Sequence, residues 1–336
     1  MPHILLDVPM HEPGLAAIRK LPGVTVEICK PETRSRELIA EGLAEAEILF
    51  CSHAPTNLAA MPKLRWMQIA SVGYSHLFGF DLAARGIAVT NARGCFDIPI
   101  AEWNIAMMIN LARDLRGMIR NQDAAVWEVK AAFQREIRGM TVGIWGYGGI
   151  GRETARLARM LGLRVEVLTR NGVSPRTGVY TVADTGDPDG VWPHRAWRQE
   201  ERLAFLHGLD FLIVAIPLTP NTEGLIGEPE LQALPRSAWV LNPARGPIVQ
   251  QAALLRALDE GWIAGAALDT HYAYPLPPEH PLWRYPNVIL TPHISGSSLS
   301  QHFAERLWDI LAANLVRFME GAPMLNLLTP AQLNGD

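Results

Sequence analysis

The stretch TVGIWGYGGIGRETARLARMLGLRVEVLTR, residues 141–170, is where the fold of this chain is decided. It opens on a short apolar run, Thr141 to Trp145, and closes on another, Arg164 to Thr169. Between them stand glycines at the GxGxxG spacing and a segment, RETARLARML, patterned as an amphipathic helix. Strand, glycine turn, helix and strand make a βαβ unit. The spacing alone is a weak signal, because glycines are common in turns; the flanking elements make it specific. Gly146 is expected to take the tight turn, Gly148 to admit close approach of a phosphate, and Gly151 to bring helix and strand together. With Gly149 and Ile150 they would offer the amides of a helix N-terminus to a pyrophosphate, so a dinucleotide is the expected ligand.

The end of the second strand bears on which dinucleotide. An NAD site ordinarily places Asp or Glu there to accept hydrogen bonds from the adenosine ribose. Eighteen residues after Gly151 the chain has Thr169, followed by Arg170. Without the carboxylate a 2′-phosphate meets no repulsion, and Arg170, helped by Arg176, can fork onto it. NADP is therefore expected in preference to NAD. An Arg170 that stacks on the adenine of NAD is the other reading.

The alternation extends outward in both directions. Short apolar runs at 4–8, 24–29, 47–52, 65–70 and 87–91 precede the stretch, and runs at 210–217, 238–242, 265–269 and 287–292 follow it. With 141–145 and 164–169, the later series predicts six strands of a doubly wound parallel sheet. The expected fold class is α/β with two domains, since 336 residues exceed what one core comfortably supports. A Rossmann dinucleotide-binding domain spans 99–296. A flavodoxin-like substrate domain combines 1–98 with 297–336, and a cleft and hinge are expected between them. A long helix begins near DIPIAEWNIAMMINLARDL, with Asp97 and Pro99 where caps and first-turn prolines are favoured. Residues 171–199, rich in Gly, Pro, Asp and Arg, exceed an ordinary βα connection and have no clear element before Trp197.

Composition narrows the class. A net charge of −4 supplies no electrostatic footprint for nucleic acid. The most apolar helix carries Glu102 and Asn104 and falls short of a membrane span, and the N-terminal residues lack the basic region of a signal peptide. Cys29, Cys51 and Cys95 form no CxxC pair, which suits reduced thiols in a cytoplasmic protein. His271 and His280 stand at no metal-ligand spacing from His293, so no metal is expected.

Further motifs follow in order: PLTPNT from Pro217 to Thr222, NPARG from Asn242 to Gly246, ALD from Ala267 to Asp269, and PLW through TPH ending at His293. SVGYSHL at 71–77 and IAEW at 100–103 complete the set. Together they resemble the D-isomer-specific 2-hydroxyacid dehydrogenases, which include glyoxylate and hydroxypyruvate reductases. The resemblance covers nearly the whole chain. It implies reversible reduction of a small 2-keto acid to the D-2-hydroxy acid. Arg245 would anchor the keto acid, and His293 would pass a proton to and from its carbonyl oxygen. The loop of Val72, Gly73 and Tyr74 would hold the substrate carboxylate, with Phe96 lining the pocket. Ile216, Pro217, Thr222, Pro243 and Ala244 would lie along the cofactor. Asp269 would accept from the nicotinamide carboxamide, or else cap the next element. A homodimer through the 99–115 helix is also implied, and no membrane partner.

One position departs from the pattern. Five residues after the aspartate the family usually has a glutamate paired with the histidine; here stands Tyr274. A phenol can set a ring tautomer but cannot hold a charge against an imidazolium. The expected pKa of His293 is therefore near the free value of about 6.5, or lower in a dry site. Glu279 swinging in, or His293 working alone, are the alternatives. The departure also leaves room for a dinucleotide-sensing protein of the corepressor type; a dehydrogenase of another small oxyanion is a third reading, with formate disfavoured because formate dehydrogenases carry glutamine where Tyr274 stands. Intact Arg245 and His293 favour the keto acid chemistry.

Overall fold

A computed structural model describes residues 2–32, 34–129 and 134–334. The expected domain ranges also take in residues 1, 33, 130–133, 335 and 336, which lie outside the described residues. The chain divides into two compact units. The first comprises the chain up to Cys95, Thr177–Val182 and the chain from Ser298; the second comprises Phe96–Arg176 and Ala183–Ser297.

In the first unit, β1 (His3–Asp7), β2 (Thr25–Ile28), β3 (Ile48–Cys51), β4 (Trp66–Ile69) and β5 (Ala88–Thr90) form a parallel sheet in the order β2-β1-β3-β4-β5. The central strands β3 and β4 are buried along their whole length, so their runs are continuously apolar rather than alternating, as parallel sheets covered on both faces require. Helix α1 (Glu12–Arg19) contacts the long helix Gln301–Glu320, which starts on a Ser300 cap and stops at Gly321 in the left-handed region. The six residues 177–182 are a part of this unit that the sequence pattern does not separate from the second. Tyr180 and Gly178 are tied there to Asn326, whose side chain accepts from the Tyr180 amide and whose own amide donates to the Gly178 carbonyl.

The second unit holds seven strands, not six. They are β6 (Thr141–Trp145), β7 (Arg164–Thr169), β8 (Arg195–Arg198), β9 (Phe211–Val214), β10 (Trp239–Asn242), β11 (Gly265–Leu268) and β12 (Val288–Leu290), in the order β12-β11-β10-β9-β6-β7-β8. Every pair is parallel. The added edge strand β8 reads RAWR, four residues with an arginine at each end, so no apolar period betrays it. Only Trp197 is buried there, and the Arg195 guanidinium lies over its ring. Helix α2 (Asp97–Ala112) packs on α4 (Gly149–Met160), and α3 (Leu115–Asp123) follows α2 after a short break. The cap of α2 is Phe96, not Asp97, and it makes no side-chain cap bond; Asp97 instead pairs with Arg176 at 3.0 Å. No described helix is long and apolar enough to cross a membrane.

Candidate active site

Ligands of open parallel sheets bind beyond the carboxyl ends of the strands, near the point where the strand order reverses. In the second unit that point lies between β6 and β9, and the glycine turn stands there. Gly146 has φ +106°, and a Cβ on it would come within 2.5 Å of the Ala215 carbonyl oxygen and 2.7 Å of the Ile216 side chain. Only glycine fits. Its amide donates to the Leu168 carbonyl, tying the turn to the end of β7. A Cβ on Gly151 would lie 2.4 Å from the Gly146 carbonyl oxygen, so helix and turn touch backbone to backbone. Gly148 differs: a Cβ there would meet nothing within 4 Å. Open space therefore stands beside the Gly148 backbone, as the close approach of a phosphate to a helix N-terminus requires, while the Asp97 carboxylate lies against Gly149, the next residue.

At the end of β7 the Thr169 hydroxyl is buried without a partner, while Arg170 is exposed. An orphaned hydroxyl at the ribose end of a dinucleotide cradle is a donor and acceptor awaiting a ligand. Pro217 and Thr222 form one turn, in which the Thr222 hydroxyl donates to the Pro217 carbonyl at 2.7 Å.

The long connection after β7 is folded against this cradle. The Tyr147 hydroxyl donates to Asp187 at 2.5 Å, and Asp187 also accepts from the amides of Val191 and Trp192. Burial, with the Asp187 carboxylate beside it, pushes the Tyr147 phenol well above its usual range. Arg152, buried just after the last glycine, lies over the Tyr147 ring and donates to the carbonyls of Asp187 and Ser174. Glu153 accepts from the Gly186 amide. None of Tyr147, Arg152 and Asp187 stands out as a site residue in the sequence. The one available sign is the charged pair Arg152–Glu153 on the inward side of a helix whose outer face is already polar.

Beyond β10 the Asn242 side chain builds the turn that presents Arg245. Its oxygen accepts from the Ala244 amide at 3.1 Å and its nitrogen donates to the Arg245 carbonyl at 2.9 Å. Pro243 is buried in this turn, and the Arg245 side chain is exposed. Gly246 must be glycine, because a Cβ would lie 2.5 Å from the His271 carbonyl oxygen. Beyond β12, His293 has φ +59°, a left-handed conformation uncommon outside glycine, though histidine is among the residues that tolerate it. Phe96 lies against this turn: a Cβ on Gly296 would come within 2.9 Å of its ring.

Asp269 is 0 % exposed and holds the His293 turn. One carboxylate oxygen accepts from the Thr291 hydroxyl at 2.6 Å and the Ile294 amide at 2.9 Å; the other accepts from the amide and the hydroxyl of Ser295. A carboxylate has about four acceptor sites, and these four donors come from one short turn. In this structure Asp269 caps the 291–295 turn.

Tyr274 is 58 % exposed, with its ring centroid 5.5 Å from that of His293 and tilted against it. Its hydroxyl accepts from the His271 amide at 3.1 Å. Glu279 is exposed and bears on His280, not on His293. Burial first, and then the Arg245 guanidinium, hold the His293 imidazole below its ordinary value; Asp269 opposes them and His271 adds to the lowering. Trp127 is 93 % exposed. Trp283 lines a groove of about 370 Å³ with Leu115, Arg116, Ile119 and Ile289.

In the first unit, the loop after β4 carries Val72, Gly73 and Tyr74. Their carbonyls are spoken for: Asn91 donates to that of Val72 at 2.8 Å, and the Ser71 hydroxyl to that of Gly73 at 2.7 Å. The amides of Val72 and Gly73 make no hydrogen bond among the described residues. His76, in the same loop, has its ring 5.5 Å from that of His53, beyond β3. Burial, with His53 beside it, holds the His76 imidazole below its ordinary value.

Residues 105–295 match the model of the D-isomer specific 2-hydroxyacid dehydrogenase NAD binding domain. The chain belongs to that family. It is similar to a glyoxylate reductase of Thermofilum pendens, at 31 % identity over 92 % of this chain and 89 % of the relative. A glyoxylate reductase of Korarchaeum cryptofilum is 33 % identical over 80 % of this chain and 77 % of its own. Among solved structures, a D-isomer specific 2-hydroxyacid dehydrogenase of Xanthobacter autotrophicus in complex with NADPH superposes with a TM-score of 0.76 at 25 % identity, covering 99 % of each chain. An NADPH-dependent glyoxylate/hydroxypyruvate reductase of Sinorhizobium meliloti does so at 0.72 and 26 %, covering 98 % of each.

Proposed function

We propose that this chain reduces a small 2-keto acid, glyoxylate or hydroxypyruvate in the first instance, to the D-2-hydroxy acid, with NADPH preferred over NADH. Family membership makes it an NAD(P)-dependent oxidoreductase of 2-hydroxy and 2-keto acids. What supports the residue assignment is that Arg245 and His293 stand just beyond the ends of β10 and β12, strands on either side of β11 in one sheet, and that the Arg245 guanidinium bears on the His293 imidazole. Bound at the glycine turn, a nicotinamide dinucleotide supplies the hydride. Arg245 forks onto the keto acid and orients its carbonyl. His293, as imidazolium, donates its proton to the carbonyl oxygen and recovers it in the oxidative direction. The free amides of Val72 and Gly73 are of the kind that bind a carboxylate.

The preference for NADPH rests on Thr169 and Arg170, where a carboxylate that would repel the 2′-phosphate is missing. Self-association as a homodimer is supported by the exposed apolar residues Ile109, Leu115, Met118 and Ile119 along α2 and α3. A cytoplasmic setting, where thiols stay reduced, suits the three buried free cysteines.

The test is steady-state oxidation of NADPH and of NADH by the purified protein with glyoxylate, hydroxypyruvate and pyruvate, repeated with Arg170→Ala. Turnover favouring NADPH, with the preference reduced in the variant, is expected. Cofactor binding without turnover on any keto acid would replace this reading with that of a dinucleotide sensor.

A further inference from the structure

We propose that His271 is a positioning residue for the reaction: its imidazole holds the Thr291 carbonyl and thereby fixes the turn that aims His293. The proposal deepens the reading above and rests on it for its kinetic part. His271 is 6 % exposed, and its Nε2 lies 2.8 Å from the Thr291 carbonyl oxygen. A carbonyl can only accept, so Nε2 carries the proton in this bond. The same oxygen accepts from the His293 amide at 3.0 Å. One carbonyl therefore receives both the imidazole of His271 and the backbone of the residue that donates the catalytic proton.

The rest of His271 is bound just as closely. Its amide donates to the Tyr274 hydroxyl, and its carbonyl lies against Gly246, the residue after Arg245. Thus His271 is bonded to the Tyr274 hydroxyl and to the carbonyl that holds the His293 amide, and it packs against the turn that follows Arg245. The backbone contacts do not depend on the imidazole. What the side chain adds is the bond to Thr291.

That bond has a cost elsewhere on the ring, since Nδ1 is buried without a partner. A phenylalanine would fill the same space with no orphaned nitrogen. The ring's distinctive contribution is accordingly the directional bond at Nε2, made to the turn in which His293 adopts its left-handed backbone. Asp269 grips that turn from Thr291, Ile294 and Ser295 through side chain and amides, but neither of its oxygens can hold the Thr291 carbonyl. His271 supplies the donor that an acceptor-only carboxylate cannot.

Two variants and one spectrum test this. In His271→Phe the donor is lost and the shape kept; in His271→Gln the amide nitrogen can reach the same carbonyl. Displacements near 1 Å at a reacting group cost about 100-fold in rate. We therefore expect kcat for keto acid reduction to fall between about 10-fold and 100-fold in the phenylalanine variant, with KM and cofactor Kd changed less than about twofold. The glutamine variant should recover most of that loss. Equal impairment of both variants, or an unimpaired phenylalanine variant, would overturn the proposal. The wild-type protein labelled with nitrogen-15 at histidine gives a readout that needs neither variant nor turnover: the His271 proton should reside on Nε2 and exchange slowly with water. A proton on Nδ1 instead would sink the proposal even if the enzyme is active. Absence of turnover in the wild type, with the Nε2 proton in place, would count against the proposed reaction and leave the brace standing.

Discussion

Replacing Tyr274 by glutamate should raise the pH range in which the chain reduces a keto acid. The two rings are 5.5 Å apart, which sets the scale for a carboxylate placed at position 274. At that distance, and with the effective dielectric constant of about 20 that suits such sites, unlike charges attract by about 3 kcal/mol. Tyr274 is 58 % exposed, so water and salt screen the pair. Halving the figure leaves about 1.5 kcal/mol, the worth of about one pH unit. The sign follows from the charges. A carboxylate favours the imidazolium and raises the pKa of His293, which burial and Arg245 now hold below its ordinary value. Reduction needs the protonated imidazole, present below that pKa, so the limb where the rate falls should move upward by about one pH unit. The oxidative direction needs the neutral ring and should lose rate on its acid side. The assay is kcat/KM for glyoxylate reduction across the pH range, with Tyr274→Phe alongside. The phenylalanine variant removes the acceptor for the His271 amide but introduces no charge, so its limb should stay in place. A limb that stays, or moves down, in the glutamate variant would show that position 274 does not bear on the His293 proton.

Two further outcomes are expected. Asp269→Asn converts an acceptor of four hydrogen bonds into a group that must present an NH2 to some of the same donors; it should lower the melting temperature and kcat together, at a cost of about 3 kcal/mol, measured by thermal unfolding and steady-state kinetics. Tyr147→Phe removes the donor to Asp187 at 2.5 Å, a bond to a charged group worth about 2 kcal/mol, so hydrogen exchange should quicken at the Val191 and Trp192 amides that Asp187 holds, with the β6 amides unchanged.

Much of the architecture is written locally. Five apolar runs before residue 95 become five parallel strands, and the glycine turn appears where the spacing and its flanking strands place it. β8 escapes because an edge strand of four residues with one buried side chain has no period to detect. The return of residues 177–182 to the first unit escapes because its anchor, Asn326, stands far along the chain.

The site divides in the same way. Sequence by itself determined the chemical inventory: glycines that permit a backbone approach, a missing carboxylate at Thr169, an arginine and a histidine just past strand ends, and a tyrosine where a glutamate is usual. Tertiary structure alone decided what those groups do to one another. Because β11 lies beside β12, the segment after one strand meets the turn after the other, so Asp269 caps residues 291–295 and His271 reaches Thr291. Hydrogen bonds between loops have no periodicity in the chain. They depend on which strand ends become neighbours, and that order is set only when the whole sheet assembles.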